Sequence, residues 1–156
     1  MEQHNQHLVF TLDGQHYATE ISLIEKVIHA VELIHLPETA EFFLGILNMG
    51  GKVIPVANIR KRFNLPDREM HLDDRIIISQ ISRRKIAFIV DHVQGIVEFS
   101  REQVDEVHQI FPEMEHYIEG VGRFGDNTVL IITVEKLFSI QNMNRLDKVI
   151  KGQESN

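Results

Sequence analysis

Short apolar runs, each closed off by turn-forming residues, recur along the chain and predict strands. LVFTL at residues 8–12 leads into Asp13-Gly14, a two-residue hairpin signal, and His16-Tyr17-Ala18-Thr19 forms the return strand. Residues 21–25 predict one helical turn, capped by Glu20 or Ser22. Residues 26–36 are extended and stop at Pro37, and 38–43 predict a short helical segment. Residues 44–49 and 52–56 form a hairpin over Gly50-Gly51, and Asn58 is placed to cap a short helix over 59–63. The polar stretch PDREMHLDD, residues 66–74, reads as a link between two halves. Strands follow at 75–81, 85–90 and 92–99, then a polar loop over 101–115. A hairpin of 117–124 and 128–133 and a short helix at 134–140 complete the pattern. A tail from about residue 151 is expected to be disordered.

The halves resemble each other. A shift of 69 residues lays Leu8-Val9 on Ile77-Ile78, Tyr17-Ala18 on Ile86-Ala87, and Val27-Ile28 on Ile96-Val97. A shift of 75 lays Gly45 on Gly120, Gly50 on Gly125 and Phe63 on Phe138. Many short strands without long amphipathic helices between them count against a doubly wound sheet and favour small barrels or a sandwich. The expectation is one domain over residues 1–150, built of two barrel subdomains at about 8–66 and 74–140. Exchange of the N-terminal strand between them is left open. Each unit is too small to bury a large core alone, so the two should share an apolar layer whose edges form a groove.

Composition narrows the chemistry. The 156 residues are 43% hydrophobic and contain no cysteine, which excludes thiol catalysis, disulfides and Cys-based zinc sites. A formal charge of −7 makes nucleic acid a poor partner, and Arg60-Lys61-Arg62 and Ser82-Arg83-Arg84-Lys85 read as solvated faces. No apolar run approaches the roughly 20 residues that span a bilayer, and MEQHNQHLVF lacks a signal-peptide pattern, so a cytoplasmic protein without direct membrane insertion is expected.

GILNMGGKV, residues 45–53, touches on a phosphate loop. The gap from Gly45 to Gly50 fits, but Lys52 comes one place late, Val53 stands where a hydroxyl is needed, and the following residues continue as strand. Without a helix there is no row of free N–H groups to hold phosphate, so a tight turn is the reading. The nine histidines show no metal-binding spacing. Asp91-His92 are strand neighbours that point apart, Asp73-Asp74 read as solvated acids, and no nucleophile elbow occurs. No catalytic residue, metal ligand or cofactor is expected.

Four stretches carry a family resemblance: LVFTLDGQHYATEISLIEKV (8–27), LPETAEFFLGILNMGGKVIPVANIRKRFNLP (36–66), DDRIIIS with IAFIVDHVQGIVEF (73–99), and YIEGVGRFGDNTVLIITVEKLF (117–138). In this order they resemble the chemotaxis coupling protein family, CheW. The resemblance implies a mainly β fold of two SH3-like five-stranded barrels on a shared hydrophobic layer, with a few short helices. It implies a non-enzymatic adaptor that links the helical-hairpin tip of chemoreceptors to the regulatory domain of a histidine kinase, recruited to membrane-associated arrays. The alternative is a stand-alone regulatory domain of such a kinase, or the adaptor half of a receiver-bearing coupling protein. Carried over by position, the receptor groove includes Val27, Ile46, Asn48, Gly50, Val93 and Val97, and the kinase-facing surface lies near His29, Lys52 and Ile54. The chain departs from the family at Gly50, where Arg is usual, near His29, where Glu is usual, and at Asn58, where Asp is usual. These departures imply an adaptor serving its own receptor or kinase set.

Overall fold

In the computed structural model, which describes residues 6–35, 42–99 and 117–138, the described chain is mostly strand. The strands are β1 (Gln6–Leu12), β2 (Gln15–Glu20), β3 (Ile24–His29), β4 (Phe43–Met49), β5 (Lys52–Ala57), β6 (Arg75–Ile81), β7 (Arg84–Val90), β8 (His92–Glu98), β9 (Ile118–Phe124) and β10 (Asn127–Ile132). A 3-10 turn spans Ile21–Leu23, helix α1 spans Ile59–Arg62, and helix α2 spans Val134–Leu137. The hairpins, the link and both short helices fall where the apolar pattern placed them. Glu20, however, makes no side-chain cap, and Phe43 opens β4 where a helical segment was expected. Residues 38–41 of that segment, the whole of the 101–115 loop and the C-terminal tail lie outside the described residues.

Two five-stranded sheets result, in the orders β8-β1-β2-β10-β9 and β3-β6-β7-β5-β4. They are the same sheet built twice. Substituting β6–β10 for β1–β5 converts one order into the other. The correspondence holds down to irregularities: β3 bulges against β6 between Ile24 and Lys26, and β8 skips Gln94 against β1 between Val93 and Gly95, 69 residues on. Likewise β4 slips against β5 between Phe43 and Gly45, and β9 slips against β10 between Ile118 and Gly120, 75 residues on.

The pairing does not follow the division expected at residues 66–74. Sheet A takes hairpin β1–β2 from the first half and β8, β9 and β10 from the second; sheet B takes β6–β7 from the second half and the rest from the first. The exchange is therefore of a whole hairpin, and it is reciprocal. The exchanged strands are the central ones, covered on both faces, which is why their sequences are continuous apolar runs such as RIIISQI, whereas edge strand β8 alternates. Cutting the chain between residues 66 and 74 should give two fragments that are each unfolded by circular dichroism and recover strand signal on mixing, because neither half can complete a sheet alone.

Three apolar clusters follow from this arrangement. Val9, Ala18, Val129 and Ile131 fill the interior of barrel A, and Leu47, Val56, Ile76, Ile78 and Ala87 fill barrel B. The largest cluster joins the barrels: Leu8, Phe10, Leu12 and Tyr17 from sheet A meet Ile77, Ile86, Phe88 and Val90 from sheet B. An aromatic file crosses this layer. Phe63, just after α1, stacks on Tyr17 at 4.7 Å and lies 5.2 Å from Tyr117. Burial, with Tyr117 and Asp13 nearby, pushes the Tyr17 hydroxyl up to about 12.

Candidate functional site

The residues carried over by position fall into three environments. Val27 on β3 and Val93 on β8 border the shared layer: Val27 sits opposite Ile77 and Val93 opposite Phe10, both members of that layer. Val27 remains 37% exposed. Asn48, Gly50, His29 and Lys52 are also exposed. The Asn48 Oδ1 accepts the Gly51 N–H at 3.2 Å, and the backbone at Gly50 and Gly51 has φ of 58° and 87°, a left-handed pair that glycine adopts without strain. The turn runs straight into β5, so it provides no phosphate cradle.

Ile46 and Ile54 do not present themselves to a partner. They are 4% and 3% exposed, with Ile54 inside barrel B and Ile46 held between Ile34 and Pro55. Val97 also turns inward, onto the interior of barrel A. The cause is the β8 bulge. Skipping Gln94 reverses the alternation, so Ile96 shares the layer-side face with Val93, opposite Leu8, and is 54% exposed. Ile96 is the repeat equivalent of Val27 and the residue that strand periodicity alone misses; the signal that could have found it is the 69-residue shift, which aligns the two.

A second feature is a network of charges at the barrel junction. The Arg60 guanidinium donates to Asp13 Oδ1 at 2.6 Å, to Asp91 Oδ1 at 2.7 Å and to the Pro66 carbonyl at 3.2 Å. Arg68 forks onto both carboxylate oxygens of Asp74 at 2.7 and 2.9 Å and reaches Asp91 Oδ1 at 2.5 Å. The Asp13 N–H donates to Asp91 Oδ2 at 2.8 Å. This corrects two expectations: Arg60 is buried and paired, and Asp74 is 2% exposed, so neither belongs to a solvated face. Arg68 supplies the opposite charge that offsets the cost of enclosing the Asp74 carboxylate. Through this network the 66–74 link is fastened to α1, the β1–β2 turn and the bend after β7.

Burial alone would raise the Asp91 carboxyl, but the Asp13 N–H, Arg60 and Arg68 outweigh it and hold it below the usual range. The sign follows: a carboxyl lowered on folding stabilises fully above its unfolded value of about 3.9 and loses that contribution as pH falls through the folded value. The difference in thermal midpoint between wild type and Asp91→Asn should therefore be largest near neutrality and shrink as pH drops below about 4.

Two of the surface concavities bear on the site residues. One, of about 380 Å³, lies over the network, walled by Leu33, Leu44, Ile59, Met70 and Ile89. The other, also about 380 Å³, is the mouth of barrel B and brings Gly50, Lys52 and Ile54 together with Glu25, Lys26 and Lys85. Among the described residues no cluster of His, Asp or Glu gathers as a metal site, and no helix is long and apolar enough to cross a membrane.

Comparison with known proteins agrees with this architecture. The family model described as a CheW-like domain matches residues 6–142. The chain is 23% identical over 146 residues to the chemotaxis protein CheW of Klebsiella aerogenes, covering 93% of this chain and 88% of that one. It is 27% identical over 143 residues to the Bacillus subtilis chemotaxis protein CheW, covering 92% and 81%. The crystal structure of the scaffolding protein TtCheW from Thermoanaerobacter tengcongensis superposes with a TM-score of 0.78 at 30% identity, over 91% of this chain and 92% of that one.

Proposed function

Because this chain belongs to the CheW-like domain family, we propose that it is a chemotaxis coupling protein, a scaffold that joins chemoreceptors to their histidine kinase. The carrying observation is that family and fold match together across nearly the whole chain, including both barrels and their shared layer. The named relatives are chemotaxis and scaffolding proteins, which favours this reading over a kinase's own regulatory domain.

The chain works by offering surfaces and performs no chemistry. The helical-hairpin tip of the receptor docks along the border of the shared layer, against Val27 and Val93, with Asn48 and Gly50 at the nearby turn. Ile46, Val97 and Ile54 act from below, by fixing the strands that carry these groups. Ile96 is added to the receptor-facing set because it is the exposed counterpart of Val27. The kinase's regulatory domain meets barrel B near His29 and Lys52. Such modest, separable surfaces suit assemblies that form and break. The protein acts in the cytoplasm and is drawn to membrane-associated arrays by its receptors.

An NMR titration of the full chain with a receptor-tip helical hairpin tests the receptor surface. Shifts concentrated at Val27, Val93 and Ile96 are expected. Shifts confined to the far side of either barrel, or none, would overturn the assignment.

A further inference from the structure

Val93 and Ile96 share one face of β8 because Gln94 is skipped between them. β8 lies at the edge of its sheet, and its bulge can be lost in two ways. Sliding the downstream half by one residue would lay Ile96 on His7 and turn it into barrel A. Sliding the upstream half would lay Val93 on Thr11 and turn that side chain inward instead. Either slip breaks up the outward pair. The downstream half is held by apolar packing, since Val97 and Phe99 lie in the interior of barrel A. Upstream, His92 is exposed and Val93 only borders the shared layer, so the hold is polar.

Asp91, just before β8, makes that hold. Its N–H donates to the Thr11 carbonyl at 2.9 Å, and its Oδ2 accepts from the Asp13 N–H at 2.8 Å. Its Oδ1 accepts from Arg60 at 2.7 Å and from Arg68 at 2.5 Å. A slip of the upstream half would break these contacts together. The fold does not itself require the charges. In the other copy of the sheet, Ser82, Ser22 and Glu135 stand at the places of Asp13, Asp91 and Arg60, and all three are exposed. There the β3 bulge is tied at its own skipped residue, where Glu25 accepts from Lys85 at 2.9 Å.

We infer that Arg60 and Asp91 are positioning residues for receptor binding, which fix the register of β8 so that Val93 and Ile96 face the receptor together. The inference rests on the receptor surface proposed above. The two side chains are 11% and 16% exposed and act through β8, without touching the receptor.

The test is calorimetric titration of the full chain with a receptor-tip helical hairpin and, separately, with the regulatory domain of its kinase. D91N should bind the receptor tip at least about ten-fold more weakly and the kinase domain within about two-fold of wild type. In the free D91N protein the amide NMR signals of residues 93–97 should move while those of β3 stay in place. V56A opens a cavity inside barrel B, away from β8, and should bind the receptor tip like wild type despite a lower melting temperature. R60K keeps the cation but cannot fork between Asp13 and Asp91, so its receptor affinity should fall between wild type and D91N; it carries the test if D91N is unfolded at the assay temperature.

Receptor affinity within about two-fold of wild type in D91N and R60K would overturn the positioning role while leaving the scaffold reading standing. Receptor and kinase affinities that fall in parallel would show general loosening and overturn it as well. Wild type that binds neither partner would bring down the scaffold reading itself.

Discussion

Phe88→Ala should destabilise the protein by about 3–5 kcal/mol, measured by urea unfolding at constant slope. Phe88 is fully buried on β7, at the centre of the layer between the barrels. Its ring lies 5.8 Å from Phe10 on the other sheet and 6.2 Å from Phe138 beyond α2. Truncation removes the transfer free energy of a whole ring and leaves a cavity that two sheets, each held by its own ladder, cannot collapse to fill. Total stabilities of single domains run to roughly 5–15 kcal/mol, so the variant will be marginal at 37 °C. Because the layer is common to both barrels, the loss should appear as one earlier transition. Two separate transitions would show that the barrels fold independently, contrary to the reciprocal exchange of hairpins.

Arg60→Met should cost about 2–4 kcal/mol, near the range for breaking a buried pair and discounted because Asp13 keeps partial access to water. Methionine keeps most of the length and apolar stem, so the cost reports the lost guanidinium. The loss leaves the Asp13 carboxylate without its guanidinium, and leaves Asp91 held by the Asp13 N–H and Arg68. A double-mutant cycle with Asp91→Asn isolates the pair: the double variant should be less destabilised than the sum of the singles. Additive costs would mean that Arg60 acts by packing alone.

Much of the fold was legible because its signals are local. Asp13-Gly14 and Gly50-Gly51 announce turns through the left-handed conformations they permit, and Asn58 caps α1 by accepting from the Lys61 N–H at 3.2 Å, as its position before a short helix suggests. The internal repeat was visible through Gly45 with Gly120 and Ala18 with Ala87. Which hairpin pairs with which sheet was not, since pairing between residues far apart leaves no trace in periodicity, and both choices bury the same side chains. The site was less legible than the fold. Val97 comes to the groove by position in the family pattern alone, and only the register against β1 exposes the skipped Gln94 that turns it inward. Arg60 and Asp74 read as solvated charges in the sequence because burial of a charge depends on how the chain folds back: Arg60 meets Asp91, 31 residues on, and Asp74 meets Arg68 only because the link between them is folded.

The most direct test of the coupling role is co-sedimentation with membranes bearing chemoreceptors, in which the kinase is counted in the pellet with and without this chain. Kinase should pellet in proportion to added wild-type chain, and V27E/I96E, with its receptor border disrupted, should leave it in the supernatant. Kinase that pellets equally well without the chain, or that stays soluble however much is added, would contradict the account.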